Sequence, residues 1–324
     1  MSYQVKTPIL FLAFNRPECT ARVFESIRKV KPAKLYVAID GPRENRADDV
    51  ENREKVLSIV KNVDWPCETN YLIHEKNLGC SLSGVTAWRW FFEHEETMLF
   101  IEDDGLGDED AFRYMDAMLV RFKDDERILN VGAVNYGPKS GNATYFFTRQ
   151  PASTYFMGTW KRVMDKYEYN IESYPSMRNK KEFKKNFFSL GEYLISTSNF
   201  DNYLLHLNQG HRENTYDLQL QYLAYKLDMY SINPNINLVS NIGFDAGSNT
   251  NFNTESAFYK EYANRKRYPL GEIVNSDFKI NKQFEKIFFN KKVLMNQSWL
   301  KLWLSGVTPD WAKKPIRLLR KLKK

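Results

Sequence analysis

Five short apolar runs punctuate the first 135 residues, and an amphipathic segment follows each of the first four. This alternation constrains the fold more than any other feature of the chain. "TPILFLAF" (7–14), "KLYVAID" (34–40), "ETNYLIH" (68–74), "TMLFIE" (97–102) and "ILNVGAV" (128–134) read as strands. Val23, Phe24, Ile27 and Val30 recur at helical spacing after the first run. A charged helix is expected around 47–62, another through Val85, Trp88 and Phe92, and a third through Phe112, Met115, Leu119 and Phe122. Strands that are apolar throughout, separated by helices, predict an α/β fold: a Rossmann-like, mostly parallel central sheet covered by helices on both faces. In such sheets ligands bind beyond the carboxyl ends of the strands.

The polar residues at those ends are therefore the first candidates for a site. "NRP" follows the first strand, "DGPR" the second, and the acids of "FIEDD" end the fourth. One edge of the sheet should collect Asn15, Arg16, Asp40, Arg43, Glu102, Asp103 and Asp104. Three consecutive carboxylates repel one another at neutral pH, so either water solvates them or a cation sits there. Oxygen ligands at a strand end suit Mn²⁺ or Mg²⁺ bridging to phosphate. Strand alternation would put Glu102 and Asp104 on one face and turn Asp103 away. A solvated turn leading into the next helix, capped by Asp108 or Asp110, is the simpler alternative. Asn15 could read a base edge, Asp40 could accept from a ribose or base, and Arg43 could meet phosphate. Each could equally be part of a turn. Asp217, in "TYDLQ", falls in the first turn of a helix marked by Tyr216, Leu220, Leu223, Ala224 and Leu227. An acid there favours the helix dipole, or serves as a general base.

Other classes are excluded by what is missing. No GxxxxGK[ST] and no GxGxxG after the first strand occurs, nor GxSxG or HExxH. The four histidines lack metal-ligand spacing. Three cysteines without metal-type spacing read as free thiols of a reducing compartment. The net charge of +7 is localised: "KKPIRLLRKLKK" (313–324) holds seven of the 47 basic residues, leaving 40 basic against 40 acidic elsewhere. A neutral body argues against nucleic acid as a partner.

Taken together, the pieces resemble the GT-A class of nucleotide-sugar-dependent glycosyltransferases, and within it a bacterial group of nucleotide-diphospho-sugar transferases, some of them called hemolysin-like. "PILFLAFNRPE", "IDGPR", "EKNLGC", "FIEDD" with "DERI" downstream, "GTW", "TYDLQ" and "NLVSNIGF" occur in the expected order from residue 8 to about 244. The resemblance implies a transferase moving a sugar from a UDP- or GDP-sugar to a hydroxyl of a glycan or lipid-linked oligosaccharide in bacterial surface polysaccharide synthesis. It implies Asp104 as ligand of Mn²⁺ or Mg²⁺, with Glu102 and Asp103 near the ribose or donor sugar. Phe14, Asn15, Arg16, Asp40 and Arg43 would hold base and phosphates, and Lys76, Asn77 and Gly79 would form a further donor loop. Asp217 would be the base of an inverting enzyme, or would position the acceptor in a retaining one. Trp160 and Asn249 fall near the positions of sugar-contacting groups. "GLGDED" after the acids and "DAGSNT", which has no histidine, are departures from the group. They keep open a second reading, a degenerate relative that binds nucleotide-sugar or glycan without transfer.

The expected organisation is a donor-binding half (1–135), an acceptor-side half (136–255) and a C-terminal helical extension (256–324). No clean linker parts the two halves, which favours one continuous domain. The extension combines Trp299, Trp303 and Trp311 with a basic amphipathic helix over 311–324. Such a segment suits an anionic membrane surface, at about 1 kcal/mol per basic residue. No signal peptide or spanning segment is read, so the expected location is cytoplasmic, peripheral on the inner face of the plasma membrane.

Overall fold

The computed structural model describes residues 3–137, 139, 141–211, 215–243 and 265–295. The five expected strands form: β1 (Ile9–Ala13), β2 (Lys34–Ile39), β3 (Glu68–Ile73), β4 (Thr97–Glu102) and, after a three-residue β5 (Gly105–Gly107), β6 (Ile128–Gly132). Between them lie α1 (Pro17–Val30), α2 (Ala47–Lys61), α3 (Cys80–Phe92) and α4 (Glu109–Arg121). Pro17 opens α1, where its missing N–H costs nothing. The apolar stripes read from the sequence are the buried ones. Val23, Phe24, Ile27 and Val30 of α1, and Phe112, Met115 and Leu119 of α4, are at most 1% exposed.

The second half adds β7 (Tyr145–Thr148), β8 (Phe156–Trp160), β9 (Tyr230–Pro234) and β10 (Val239–Asn241), with α5 (Lys161–Met164), α6 (Tyr174–Met177), α7 (Lys181–Lys184), α8 (Leu190–Asn208), α9 (Asp217–Leu227) and α10 (Lys282–Met295). Eight strands form one sheet in the order β3-β2-β1-β4-β8-β6-β9-β7. β1 pairs in parallel with β2 and β4, β2 with β3, and β6 with β9. β8 runs antiparallel between β4 and β6, and β7 antiparallel beside β9. Strands of both halves thus share one sheet, because β8 covers the edge that β4 would otherwise expose. β1, β6 and β8 are buried along their whole length, as expected of strands covered on both faces, whereas the edge strand β3 is only partly covered.

Two features were not legible in the sequence. Residues 171–200 are basic and polar with weak periodicity, yet they include α6, α7 and the first half of the 19-residue α8. These helices pack around a second, aromatic core of Tyr174, Phe183, Phe187, Phe200, Tyr203, Tyr222 and Tyr225. Tyrosines keep a polar end that must find a partner, which blurs an apolar stripe; Tyr174, for instance, donates to the Thr197 carbonyl at 3.0 Å. The other is a two-stranded antiparallel sheet of β5 and β10, each three residues long, pairing Gly105 with Asn241, 136 positions further on. The basic tail over 311–324 lies outside the described residues.

Candidate functional site

From β1 the chain passes outward to β2 and β3 and then crosses back to β4 on the other side of β1, so the strand order reverses between β1 and β4. The crevice beyond the carboxyl ends of β1 and β4 is the place where such sheets bind ligands. Here the acids gather. β4 ends at Glu102, and Asp103 and Asp104 sit in the turn before β5. The strand alternation therefore stops one residue early. Asp103 is not turned away from Asp104: both meet Arg16. The Arg16 Nη1 donates to Asp104 Oδ2 at 3.0 Å, its Nε donates to Asp103 Oδ2 at 3.3 Å, and its Nη2 pairs with Asp103 Oδ1. Both residues are buried. Arg16, expected to face phosphate, is a cation set directly against the carboxylates at the end of β4.

Glu102 has a different partner. The Tyr216 hydroxyl donates to Glu102 Oε1. The Tyr216 ring is wedged between Trp88 and Phe100, with Gly84 leaving it room. Burial and the neighbouring Asp104 charge push the Glu102 carboxyl up to about 8, against the pull of the Tyr216 hydrogen bond. Burial likewise raises Asp104, with Arg16 opposing. Asp217 opens α9 immediately after Tyr216 and accepts from Thr154 Oγ1 at 3.2 Å. Its charge acts on Glu102 and on Tyr136, which puts it in the same cleft.

Backbone comes unusually close to this cluster at two glycines. A Cβ at Gly243 would stand 2.5 Å from both Arg16 Nη1 and Asp104 Oδ2, and the adjacent Ile242 N–H donates to the Asp104 carbonyl at 2.9 Å. A Cβ at Gly105 would stand 2.4 Å from the Tyr155 carbonyl oxygen. Gly105, which opens the departure from the resembled group, is thus required by packing against the 150–155 segment.

The second group of candidates lies at the ends of β1 and β2. Asp49, fully buried in the first turn of α2, accepts from Asn15 Nδ2 at 2.6 Å, Arg43 Nε at 2.6 Å, Arg43 Nη2 at 2.7 Å and the Arg43 N–H at 3.1 Å. Arg43 also lies over the Phe14 ring, 5.6 Å from its centroid. Phe14, Asn15 and Arg43 are therefore brought together. Asp40, Asn77 and Gly79 are brought together too, but turned inward. The Asp40 carboxylate accepts from the N–H groups of Gly41, Leu78 and Gly79 and from Asn77 Nδ2, at 2.9–3.0 Å. Four donors occupy it, so its role is to clamp two loops rather than to meet a ribose or base. Lys76, exposed, packs its backbone against Gly41.

Trp160 is not at the site. It pairs with Thr97, at the opposite end of β4 from Glu102, and its buried indole N–H donates to the Leu119 carbonyl at 3.3 Å. Asn249 lies outside the described residues. Sequence reasoning missed Asp49 and Tyr216 as members of the site. Asp49 reads as an ordinary helix-start acid, and the only signal for Tyr216 was its place beside Asp217.

A cage of side chains for a divalent cation does not fit. Among the described residues no three His, Cys, Asp or Glu side chains converge on one point. A single ligand does fit. Asp104 Oδ1 is buried without a hydrogen-bond partner, while its Oδ2 is taken by Arg16. Against one guanidinium the cleft gathers Asp103, Asp104 and Asp217, with Glu102 shifted toward its neutral form, a balance that attracts a cation and repels a bare diphosphate.

An α/β sheet with an acidic cleft at its switch point is as far as fold and site define the chain. No family model matches it, and no curated protein does. Solved structures with a similar arrangement include a UDP-glucose pyrophosphorylase complexed with UDP-glucose (9% identity, 44% of this chain and 62% of that one, TM-score 0.26). They also include A197 from STIV (12%, 50% and 69%, 0.27) and S. aureus TarS 1–349 (8%, 68% and 72%, 0.36). The chain spans less than two thirds of the pyrophosphorylase, and at these scores the superpositions carry no argument about activity.

Proposed function

We propose that this chain is a glycosyltransferase that moves a sugar from a UDP- or GDP-sugar to a hydroxyl of a glycan or lipid-linked oligosaccharide, in the assembly of a bacterial surface polysaccharide. The observation that carries the reading is the junction of two groups on one sheet edge. Asn15, Arg43 and Phe14 form a polar corner with one aromatic ring, and Glu102, Asp104 and Asp217 form an acidic cleft on the same sheet edge. The ordered motifs of the sequence support the same reading.

Within it, the corner binds the nucleotide and the cleft receives diphosphate and sugar. A divalent cation held through Asp104 Oδ1 would neutralise the leaving diphosphate. Arg16 holds Asp103 and Asp104 in place so that the orphan oxygen faces a fixed position. Asp217, oriented by Thr154, takes the proton of the acceptor hydroxyl as its oxygen attacks the anomeric carbon and the nucleoside diphosphate departs. The basic, tryptophan-containing tail would keep the enzyme on an anionic membrane beside a lipid-linked acceptor.

Calorimetry with UDP, GDP and their sugars, with and without Mn²⁺, tests this reading. Expected are Mn²⁺-dependent binding and release of nucleotide from the sugar donor. In Asp104→Ala the release should be abolished while the fold survives, since Arg16 keeps Asp103. A second reading draws on Arg16, whose guanidinium is already engaged by two carboxylates: the chain binds nucleotide-sugar without transfer. Binding with no nucleotide release across plausible acceptors would favour it.

A further inference from the structure

Asp49 stands behind the nucleotide corner and bonds none of the cleft acids, yet the Asn15 and Arg43 side chains both depend on it. The geometry points to Asp49 as the positioning residue that makes this corner select bases carrying a ring N–H, the uracil and guanine class; the inference rests on the nucleotide-sugar reading above.

The argument runs through the Asn15 amide. An Asn side chain has a donor end and an acceptor end, and its partner decides which end faces where. Asp49 is fully buried and ion-paired with Arg43 through both carboxylate oxygens. The guanidinium, as the largest influence, keeps the Asp49 carboxyl below its usual range. An ionised carboxylate only accepts, so Asn15 must turn its Nδ2 toward Asp49, and it does so at 2.6 Å. The amide is then left to offer its carbonyl oxygen. Half-buried at the end of β1, Asn15 sits beside Phe14, over whose ring the Arg43 guanidinium lies. A flat aromatic and guanidinium pair is a stacking surface for a base.

The base edge then faces an acceptor. Uracil N3–H and guanine N1–H donate to it. Cytosine N3 and adenine N1 carry a lone pair at the corresponding ring position and would meet the Asn15 oxygen lone pair to lone pair. A site that hydrogen-bonds a ligand N–H rejects the analogue lacking it far more strongly than an apolar pocket rejects a change of size. The discrimination is therefore set by a buried residue that never touches the base.

The test is calorimetric titration of the full chain with UDP, GDP, CDP and ADP in Mn²⁺ buffer, for the wild type, Asp49→Asn and Asn15→Ala. UDP or GDP should bind about tenfold or more tighter than CDP and ADP. In Asp49→Asn the neutral amide can donate as well as accept, so Asn15 can turn over and the preference should fall to within about threefold. Asn15→Ala should lose it likewise. A thermal melt of each variant precedes titration, and if Asp49→Asn does not fold, Asn15→Ala at its half-buried position decides alone. Equal binding of all four nucleotides by the wild type, or a preference that survives in the folded variants, overturns the assignment of Asp49 while leaving the glycosyltransferase reading intact. Binding of none of the four overturns both.

Discussion

Arg16 and Asp104 meet at 3.0 Å although 88 residues separate them, one just past the end of β1 and the other just past the end of β4. The contact ties the loops after two adjacent strands into one acidic cleft. Removing the guanidinium leaves Asp103 and Asp104 buried without a counter-charge. Breaking such a pair from one side costs about 3–5 kcal/mol. Arg16→Ala should lose stability on that scale in urea unfolding. Arg16→Lys should recover only part, because an ammonium cannot pair with Asp103 through two nitrogens while reaching Asp104.

Tyr216→Phe removes only the hydroxyl that Glu102 accepts from. The ring keeps its contacts with Trp88 and Phe100, so the melting temperature should change little. Glu102 loses the hydrogen bond that favours its charged form. Under the proposed function, turnover should fall about tenfold with nucleotide affinity unchanged. An equal loss of affinity would place Tyr216 in nucleotide binding instead.

Asp40→Ala should behave as a stability variant rather than a binding variant. It orphans three backbone N–H groups and leaves Asn77 Nδ2 with the Gly41 carbonyl alone, and the expected cost is about 2–4 kcal/mol. Denaturant titration gives the cost. A folded variant that had lost nucleotide affinity specifically would show that Asp40 contacts ligand after all.

Asp49 ties stability to pH with a definite sign. Its carboxyl is held below the ordinary range by Arg43, so the folded state binds the proton less readily than the unfolded chain. The resulting stabilisation is fully present above the unfolded value of about 3.9 and is lost as pH falls through the lower folded value. The stability gap between wild type and Asp49→Asn should stay constant from about pH 5 to 8 and narrow below about pH 4. A gap that widened on acidification would contradict the ion pair.

The sheet was legible because its strands announce themselves locally. "ILFLA" and "LFIE" are continuous apolar runs, and the stripe of α1 repeats at 3.6 residues with nothing to blur it. The edge on which polar residues collect followed from that topology alone. What the edge does with them was not legible. Whether Asp103 turns away or joins Asp104 depends on where β4 stops, a boundary one residue wide. Whether Asp40 faces ligand or protein depends on the conformation of a loop 37–39 residues further on. Tyr216 carries no mark in sequence because its partner Glu102 lies 114 positions away, and Asp49, although Arg43 is only six residues before it, reads as a helix-start acid because Asn15, the residue it orients, lies 34 positions away.

The antiparallel strand β8 has a consequence for how this chain comes into being. Phe156–Trp160 pairs with β4 on one side and β6 on the other, so the free edge of β4 cannot be covered until about half of the chain has been synthesised. Until then the Met98–Ile101 stretch of β4 presents a bare, apolar strand edge, the geometry from which intermolecular pairing starts. A fragment ending near residue 135 would hold that edge open permanently. The emerging chain therefore has a window, between translation of β4 and arrival of β8, in which a chaperone rather than its own fold protects it.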